Sequence, residues 1–189
     1  MIEKKPFNII ETERLILKPH EATFEYATKL YDLIVENKEH VSKFMPLLYK
    51  VSNAEDEYNF CLSSEKKWIE MSAADYGIWT KDGQFIGTCA FVDIDYEDCS
   101  GEIGYWLDKK QTGKGYMTEA VKALENEFFN RGFNRIIIIM DTENSHSEKV
   151  AIRRAFTKEG LMRQYHFNPY FNSFRNLYIY SKLKSERER

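Results

Sequence analysis

At 189 residues the chain has the length of one domain, and 43% apolar residues are enough to fill its core. The formal net charge is −3, with acids and bases mixed along the whole chain, so the basic stripe of a nucleic-acid binder is absent. No run of about 18 apolar residues marks a membrane span, and Met1-Ile2-Glu3-Lys4-Lys5 lacks the apolar stretch of a secretory signal.

These features point to a cytoplasmic protein without a membrane partner. Cys61, Cys89 and Cys99 are odd in number and fit no metal-ligand spacing, so reduced thiols are expected. His20, His40, His146 and His166 are scattered. Neither H-E-x-x-H nor C-x-x-C occurs, and no metal is expected.

Along the chain, residues 13–18 read as a first strand with Leu15 and Leu17 on one face, ended by Pro19. Phe24, Ala27, Leu30, Tyr31 and Ile34 repeat at helical spacing. A short helix over 40–44 follows, closed by Pro46. Ser52-Asn53, followed by Glu55 and Asp56, is a helix start. That helix is expected to bury Tyr58, Cys61, Leu62, Trp68 and Ile69. Tyr76, Ile78 and Thr80 then alternate, and Lys81-Asp82-Gly83 makes a hairpin turn. Residues 85–94 and 101–107 continue as strands, giving three consecutive antiparallel strands.

A glycine-containing loop over 108–115 leads into a long amphipathic helix. Met117, Ala120, Val121, Leu124 and Phe128 form its buried face, and Gly132 stops it. The run 136–140 has no alternation, which predicts a strand buried on both faces. Val150, Ala151, Arg154 and Ala155 lie on a short helix expected to end near Gly160. Strands over 161–167 and 176–183 form a last antiparallel pair, and the charged tail 184–189 is expected to fray. No repeat or linker interrupts the chain. The expected architecture is α/β, of α+β type: one domain over 1–189, with its core over about 9–183, built on a mixed, mostly antiparallel sheet of about seven strands flanked by helices.

The informative unit is strand, glycine loop, helix. Glycines at a helix start let the backbone approach a ligand, and the free N–H groups with the helix dipole suit pyrophosphate. Alone, such a loop is most often a simple turn. Gly113 and Gly115 lack the G-x-G-x-x-G spacing, and no G-x-x-x-x-G-K-[ST] is present.

Thr112-Gly113-Lys114-Gly115-Tyr116-Met117 resembles the Q/R-x-x-G-x-G/A loop of the GCN5-related N-acetyltransferase (GNAT) superfamily. Gly115 matches its central glycine, while Thr112 and Met117 depart from it. The chain looks closest to the Rim-type branch, the ribosomal-protein serine/alanine N-acetyltransferases. The segments that carry this are Ile10-Glu11-Thr12-Glu13-Arg14-Leu15-Ile16-Leu17, Phe85-Ile86-Gly87-Thr88, Glu102-Ile103-Gly104-Tyr105-Trp106-Leu107 and Asn144-x-x-Ser147. Ala155-Phe156 stands where the branch usually has Gly-Phe.

The resemblance implies an acetyl-CoA-dependent enzyme that acetylates a primary amine, with a protein N-terminus as the acceptor. It implies cofactor contacts from Tyr105, Trp106, Leu107, Thr112, Gly113, Lys114, Gly115, Tyr116, Met117, Asn144 and Ser147. The backbone of 105–107 would pair with the pantetheine arm, Asn144 would meet a pantetheine amide, and Ser147 would donate to the thiolate or oxyanion. As residue types alone, Asn144 and Ser147 would be helix caps.

Two carboxylates compete as general base. Glu102 shares a strand face with Trp106; Glu159, expected at a helix end, falls where the Rim-type branch has a candidate base and is slightly preferred; a water chain using neither is the third reading. His146 beside Ser147 does not make a serine nucleophile, because no G-x-S-x-G elbow exists. Tyr180 is a candidate for the acceptor pocket. A small-amine acetyltransferase and a non-catalytic acyl-CoA sensor are the alternatives. A turnover assay separates the sensor, and acceptor competition separates the small amine. The oligomeric state is open, a homodimer included.

Overall fold

The computed structural model describes residues 2 and 4–187. Eight strands form one sheet in the order β1-β2-β3-β4-β5-β6-β8-β7, one more than expected. The additional strand is β1 (Ile10–Glu11), which pairs with β2 (Leu15–Pro19). Pro19 is the last residue of β2, at a strand end where a missing N–H is tolerated. Next come α1 (Phe24–Glu36), α2 (Lys38–Ser42), α3 (Pro46–Tyr49) and α4 (Ala54–Glu70). Pro46 opens α3, since proline suits the first helical turn.

β3 (Ala74–Thr80), β4 (Phe85–Asp95) and β5 (Ser100–Leu107) form the expected antiparallel meander. After it come α5 (Tyr116–Asn130), β6 (Arg135–Asp141), α6 (Ser145–Arg153) and the pair β7 (Thr157–Asn168) and β8 (Ser173–Leu183). Of the tail, 184–186 form a short 3-10 turn, and residues 188–189 lie outside the described residues. Among the described residues no helix is long and apolar enough to cross a membrane, and no group of His, Cys, Asp and Glu could hold a metal ion.

The α5 stripe is buried as its spacing predicts: Met117, Ala120, Val121, Leu124 and Phe128. It packs on one sheet face, against Leu15, Leu17, Tyr76, Ile78 and Phe91. α1 covers the other face through Tyr26, Ala27, Leu30 and Ile34, joined by Trp106 and Cys61. In α4 the inward stripe is Glu57, Cys61 and Ser64, whereas Leu62 and Ile69 are exposed. Of the expected stripe, Cys61 is buried and Tyr58 and Trp68 pack against the core, so the expectation fails at Leu62 and Ile69 alone.

β6 is also not buried on both faces. Ile136, Ile138 and Met140 are buried, while Ile137 and Ile139 are half-buried. Glu159 lies on β7 and not at a helix end, because α6 stops at Arg153. Ala155 reverses the chain at φ 57°, a left-handed conformation that glycine favours, and Phe156 N–H closes the turn on the Ala151 carbonyl.

A buried charge cluster locks the helices that carry the site. Lys182 Nζ lies 2.6 Å from Glu125 Oε1, and both side chains are fully buried. Arg154 reaches the same carboxylate at 3.1 Å, and Lys182 also donates to the Arg154 carbonyl at 2.9 Å. α5, the end of α6 and β8 thus meet at one point. Removing one member of such a pair strands the other charge, at a cost of about 3–5 kcal/mol.

Candidate active site

Parallel pairing between β5 and β6 covers only Ser100↔Arg135, Gly101↔Ile136 and Glu102↔Ile137. Both strands run on, to Leu107 and Asp141. Each keeps its antiparallel partner on the far side, β4 for β5 and β8 for β6. The sheet therefore opens like a V past Glu102 and Ile137. Along Tyr105, Trp106 and Leu107 the backbone groups facing the opening have no strand partner.

A cleft of about 920 Å³ runs from this opening. That is within the range of small-molecule sites, roughly 300–1,000 Å³. Its walls are β5 at Tyr105, Trp106 and Leu107; the loop and helix start at Thr112, Gly113, Gly115, Tyr116 and Met117; α6 at Asn144 and Ser147; and α2. Of the residues expected in the site, Lys114, Glu102 and Glu159 lie outside the lining. Lys38, Lys43, Lys109, Lys149 and Arg153 line the cleft against Glu36, Glu39 and Glu143, so its field favours an anion.

The loop is built for close backbone approach. Gly113 and Gly115 take φ of 79° and 83°. Gly115 is the N-cap of α5, and no side chain caps that end, so the first-turn N–H groups face outward unpaired. The loop is braced from β2's side by Arg14, which sequence reasoning did not single out. Its Nη1 donates to the Lys114 carbonyl at 2.9 Å, its Nε donates to Glu119 at 2.7 Å, and its guanidinium lies over the Tyr116 ring. Lys114 itself turns away and donates to Gln111 at 2.7 Å.

At the other end of the opening, Asn144 Oδ1 accepts from the Ser147 backbone N–H at 3.2 Å and caps α6. The Ser147 hydroxyl is 2.9 Å from the Tyr105 hydroxyl. This phenol was also missed, because β5 was expected to contribute backbone alone. His146 and His40 line the cleft too, and burial lowers the His40 pKa. Ser147's hydroxyl partner is Tyr105 and not His146.

The two carboxylates have opposite surroundings. Glu102 is the last β5 residue paired with β6, at the apex of the V. It accepts no hydrogen bond among the described residues. Burial, with a smaller push from Asp93, raises its pKa to about 7. Glu159 accepts from both terminal nitrogens of Arg135 and from Ser181 Oγ at 2.6 Å. These partners hold its pKa down to about 2. Tyr180 is core, with its hydroxyl donating to Glu148 at 2.6 Å, and it does not line the cleft.

Residues 14–157 match the family model described as an acetyltransferase (GNAT) domain. An uncharacterized N-acetyltransferase p20 of Bacillus licheniformis is 37% identical over 120 residues, spanning 62% of this chain and 66% of that protein. The ribosomal-protein-serine acetyltransferase of Escherichia coli (strain K12) is 28% identical over 152 residues, 80% of this chain and 84% of that one. The microcin C7 self-immunity acetyltransferase MccE, solved with acetyl-CoA and AMP, superposes with a TM-score of 0.84 at 29% identity, covering 91% of this chain and 93% of that one. A sheet opened beside an uncapped glycine-led helix, in a chain matched over most of its length, gives one conclusion. The chain belongs to the acetyltransferase (GNAT) domain family and is an acetyl-CoA-dependent N-acetyltransferase.

Proposed function

We propose that the chain works as a single cytoplasmic domain that acetylates the N-terminal α-amine of a protein, with a ribosomal protein as the acceptor. The observation that carries the chemistry is the V between β5 and β6, with an unpaired strand edge on one side and Ser147 at its mouth. An amide-bearing chain such as the pantetheine arm can pair with the edge at Tyr105, Trp106 and Leu107 as an added strand would. The N–H groups around Gly113 to Met117 and the cationic walls suit the pyrophosphate. Asn144 uses Oδ1 for its cap, which leaves its amide N–H groups to donate to pantetheine.

The amine attacks the thioester carbonyl carbon, the carbon–sulfur bond breaks, and CoA leaves as the thiolate. Ser147 O–H donates to the negative charge that develops on oxygen and then on sulfur. Glu102, at the apex of the V behind the cleft lining, takes the amine proton through water, and its pKa near neutrality suits that task. Glu159 does not suit that task, because its ion pair with Arg135 makes it too weak a base.

The acceptor assignment rests on the ribosomal-protein-serine acetyltransferase, similar over 80% of this chain. Acid–base chemistry supports it. An α-amine with a pKa of about 8 is roughly one-tenth neutral at pH 7, whereas a lysine amine of about 10.4 is almost wholly charged. A single modest base therefore serves an α-amine better. The test is competition with acetyl-CoA as donor. Peptides beginning with Ser, Ala or Leu are offered beside their N-blocked forms, spermidine and free amino acids. Free N-termini should give the highest kcat/KM. A higher value for spermidine would replace this acceptor with a small amine.

Gly115→Val tests the donor site. A branched side chain at φ 83° is strained, and its Cβ would come within 3.4 Å of Arg14 Nη2, the brace of this loop, so the cradle of N–H groups is distorted. Titration calorimetry should show CoA affinity at least about tenfold weaker, the equivalent of one lost charge-assisted contact, with the folded state retained.

A further inference from the structure

We infer that Tyr105 is a positioning residue that aims the Ser147 hydroxyl proton into the cleft. The inference rests on the role proposed for Ser147 and adds a residue that nothing in that role requires. A serine hydroxyl has one proton and a free rotor, so it is a useful donor only if something selects its direction. The group within reach of Ser147 Oγ is the Tyr105 hydroxyl, at 2.9 Å. Two arrangements compete. If Ser147 donated to Tyr105, the phenol proton would be left with the Ser147 carbonyl, 3.4 Å away, at the long limit of a hydrogen bond. If Tyr105 donates to Ser147 Oγ, the 2.9 Å bond is kept, only the poor 3.4 Å contact is given up, and the serine proton is free to turn towards the cleft. A phenol is also the better donor and the poorer acceptor of the pair. Negative charge arriving in the cleft then strengthens both bonds in series.

The two ends of this bond are held independently. Tyr105 sits on β5 opposite Cys89 of β4, so its ring is anchored to the sheet. Ser147 sits in the first turn of α6, whose start Asn144 caps and whose end is fixed through Arg154 to the Glu125–Lys182 pair. The bond therefore spans the mouth of the V, between residues 42 positions apart. Burial pushes the phenol up to about 12, so Tyr105 keeps its proton across the working pH range. It stays a donor to Ser147 and does not act as a proton source to sulfur, whose thiol is the stronger acid.

The experiment is a double-mutant cycle on kcat and on KM for acetyl-CoA, using Tyr105→Phe, Ser147→Ala and the two combined. Phe keeps the ring, and thermal unfolding of each variant reports packing separately. Tyr105→Phe should lower kcat about tenfold, the rate equivalent of one hydrogen bond, and leave KM for acetyl-CoA unchanged. In the Ser147→Ala background the same change should have no further effect, because there is no hydroxyl left to aim. An equal fold loss in both backgrounds, or a loss confined to KM, would overturn the positioning role while leaving Ser147's own role standing. An unchanged kcat in Ser147→Ala would instead refute the Ser147 reading, and the inference with it.

Discussion

Ser147→Ala should lower kcat about 100–1,000-fold, the usual cost of losing one donor to a developing oxyanion, and leave acetyl-CoA affinity nearly intact. A donor that acts on transition-state charge appears in kcat. The structure also separates this role from a capping role. Ser147 receives the α6 cap through its backbone N–H, and alanine keeps that group. The substitution should therefore keep the cap and cost about 1 kcal/mol through the lost hydrogen bond to Tyr105. Asn144→Ala, which removes the cap acceptor, should cost about 1 kcal/mol. Steady-state kinetics and thermal unfolding on the two variants decide it. A Ser147→Ala protein that is destabilised but fully active would show a structural hydroxyl.

Glu102→Gln should lower kcat/KM about 100–10,000-fold, the range for a positioned general base, and Glu159→Gln should leave it nearly unchanged. The rate–pH profile carries the sharper test. Two groups must be deprotonated for reaction: the acceptor α-amine, with a pKa of about 8, and Glu102, raised by burial to about 7. As pH falls below both values, each contributes about a tenfold loss of kcat/KM per unit. The wild-type limb should steepen below pH 7, and the Glu102→Gln limb should keep the single slope of the amine. Glu159, held near 2, titrates far below this window. An unaltered profile in Glu102→Gln would remove Glu102 from proton transfer.

Much of this could be read in the chain before its structure. The α5 stripe follows a 3.6-residue period because that helix lies flat on a continuous apolar face, and every predicted position is buried. The β3–β5 meander is legible for the same reason at a period of two. Where the reading failed, tertiary context had changed which face was inside. In α4 two aliphatic positions of the expected stripe, Leu62 and Ile69, point to solvent, while the polar Glu57 and Ser64 are buried. In β6 a uniformly apolar run covered a strand whose neighbour peels away after Ile137. Glu159 was misplaced because the turn at Ala155 looks helical by composition, and its left-handed backbone ends the helix early. The glycine loop, Asn144 and Ser147 stood out only through the family resemblance, since alone they read as a turn and helix caps. The Tyr105–Ser147 bond was not legible, because no spacing rule joins residues of β5 and α6 across an opened sheet. Arg14's brace on the loop was hidden in the same way.

The opened sheet also bears on how strands of other chains are kept from pairing with it. An unpaired row of strand N–H and C=O groups is a template for strands of other chains. Here the row along Tyr105, Trp106 and Leu107 lies inside the sheet, flanked by α2 and by the starts of α5 and α6. A foreign strand would have to enter edge-on between helices. One of the two outer edges, β7, differs from it. Two irregularities break its register with β8, between Lys158 and Gly160 and between Met162 and His166, and the exposed Lys158 and Arg163 place charge along it. The interior edge can thus stay open for a small, amide-bearing ligand while the surrounding helices keep larger strands out.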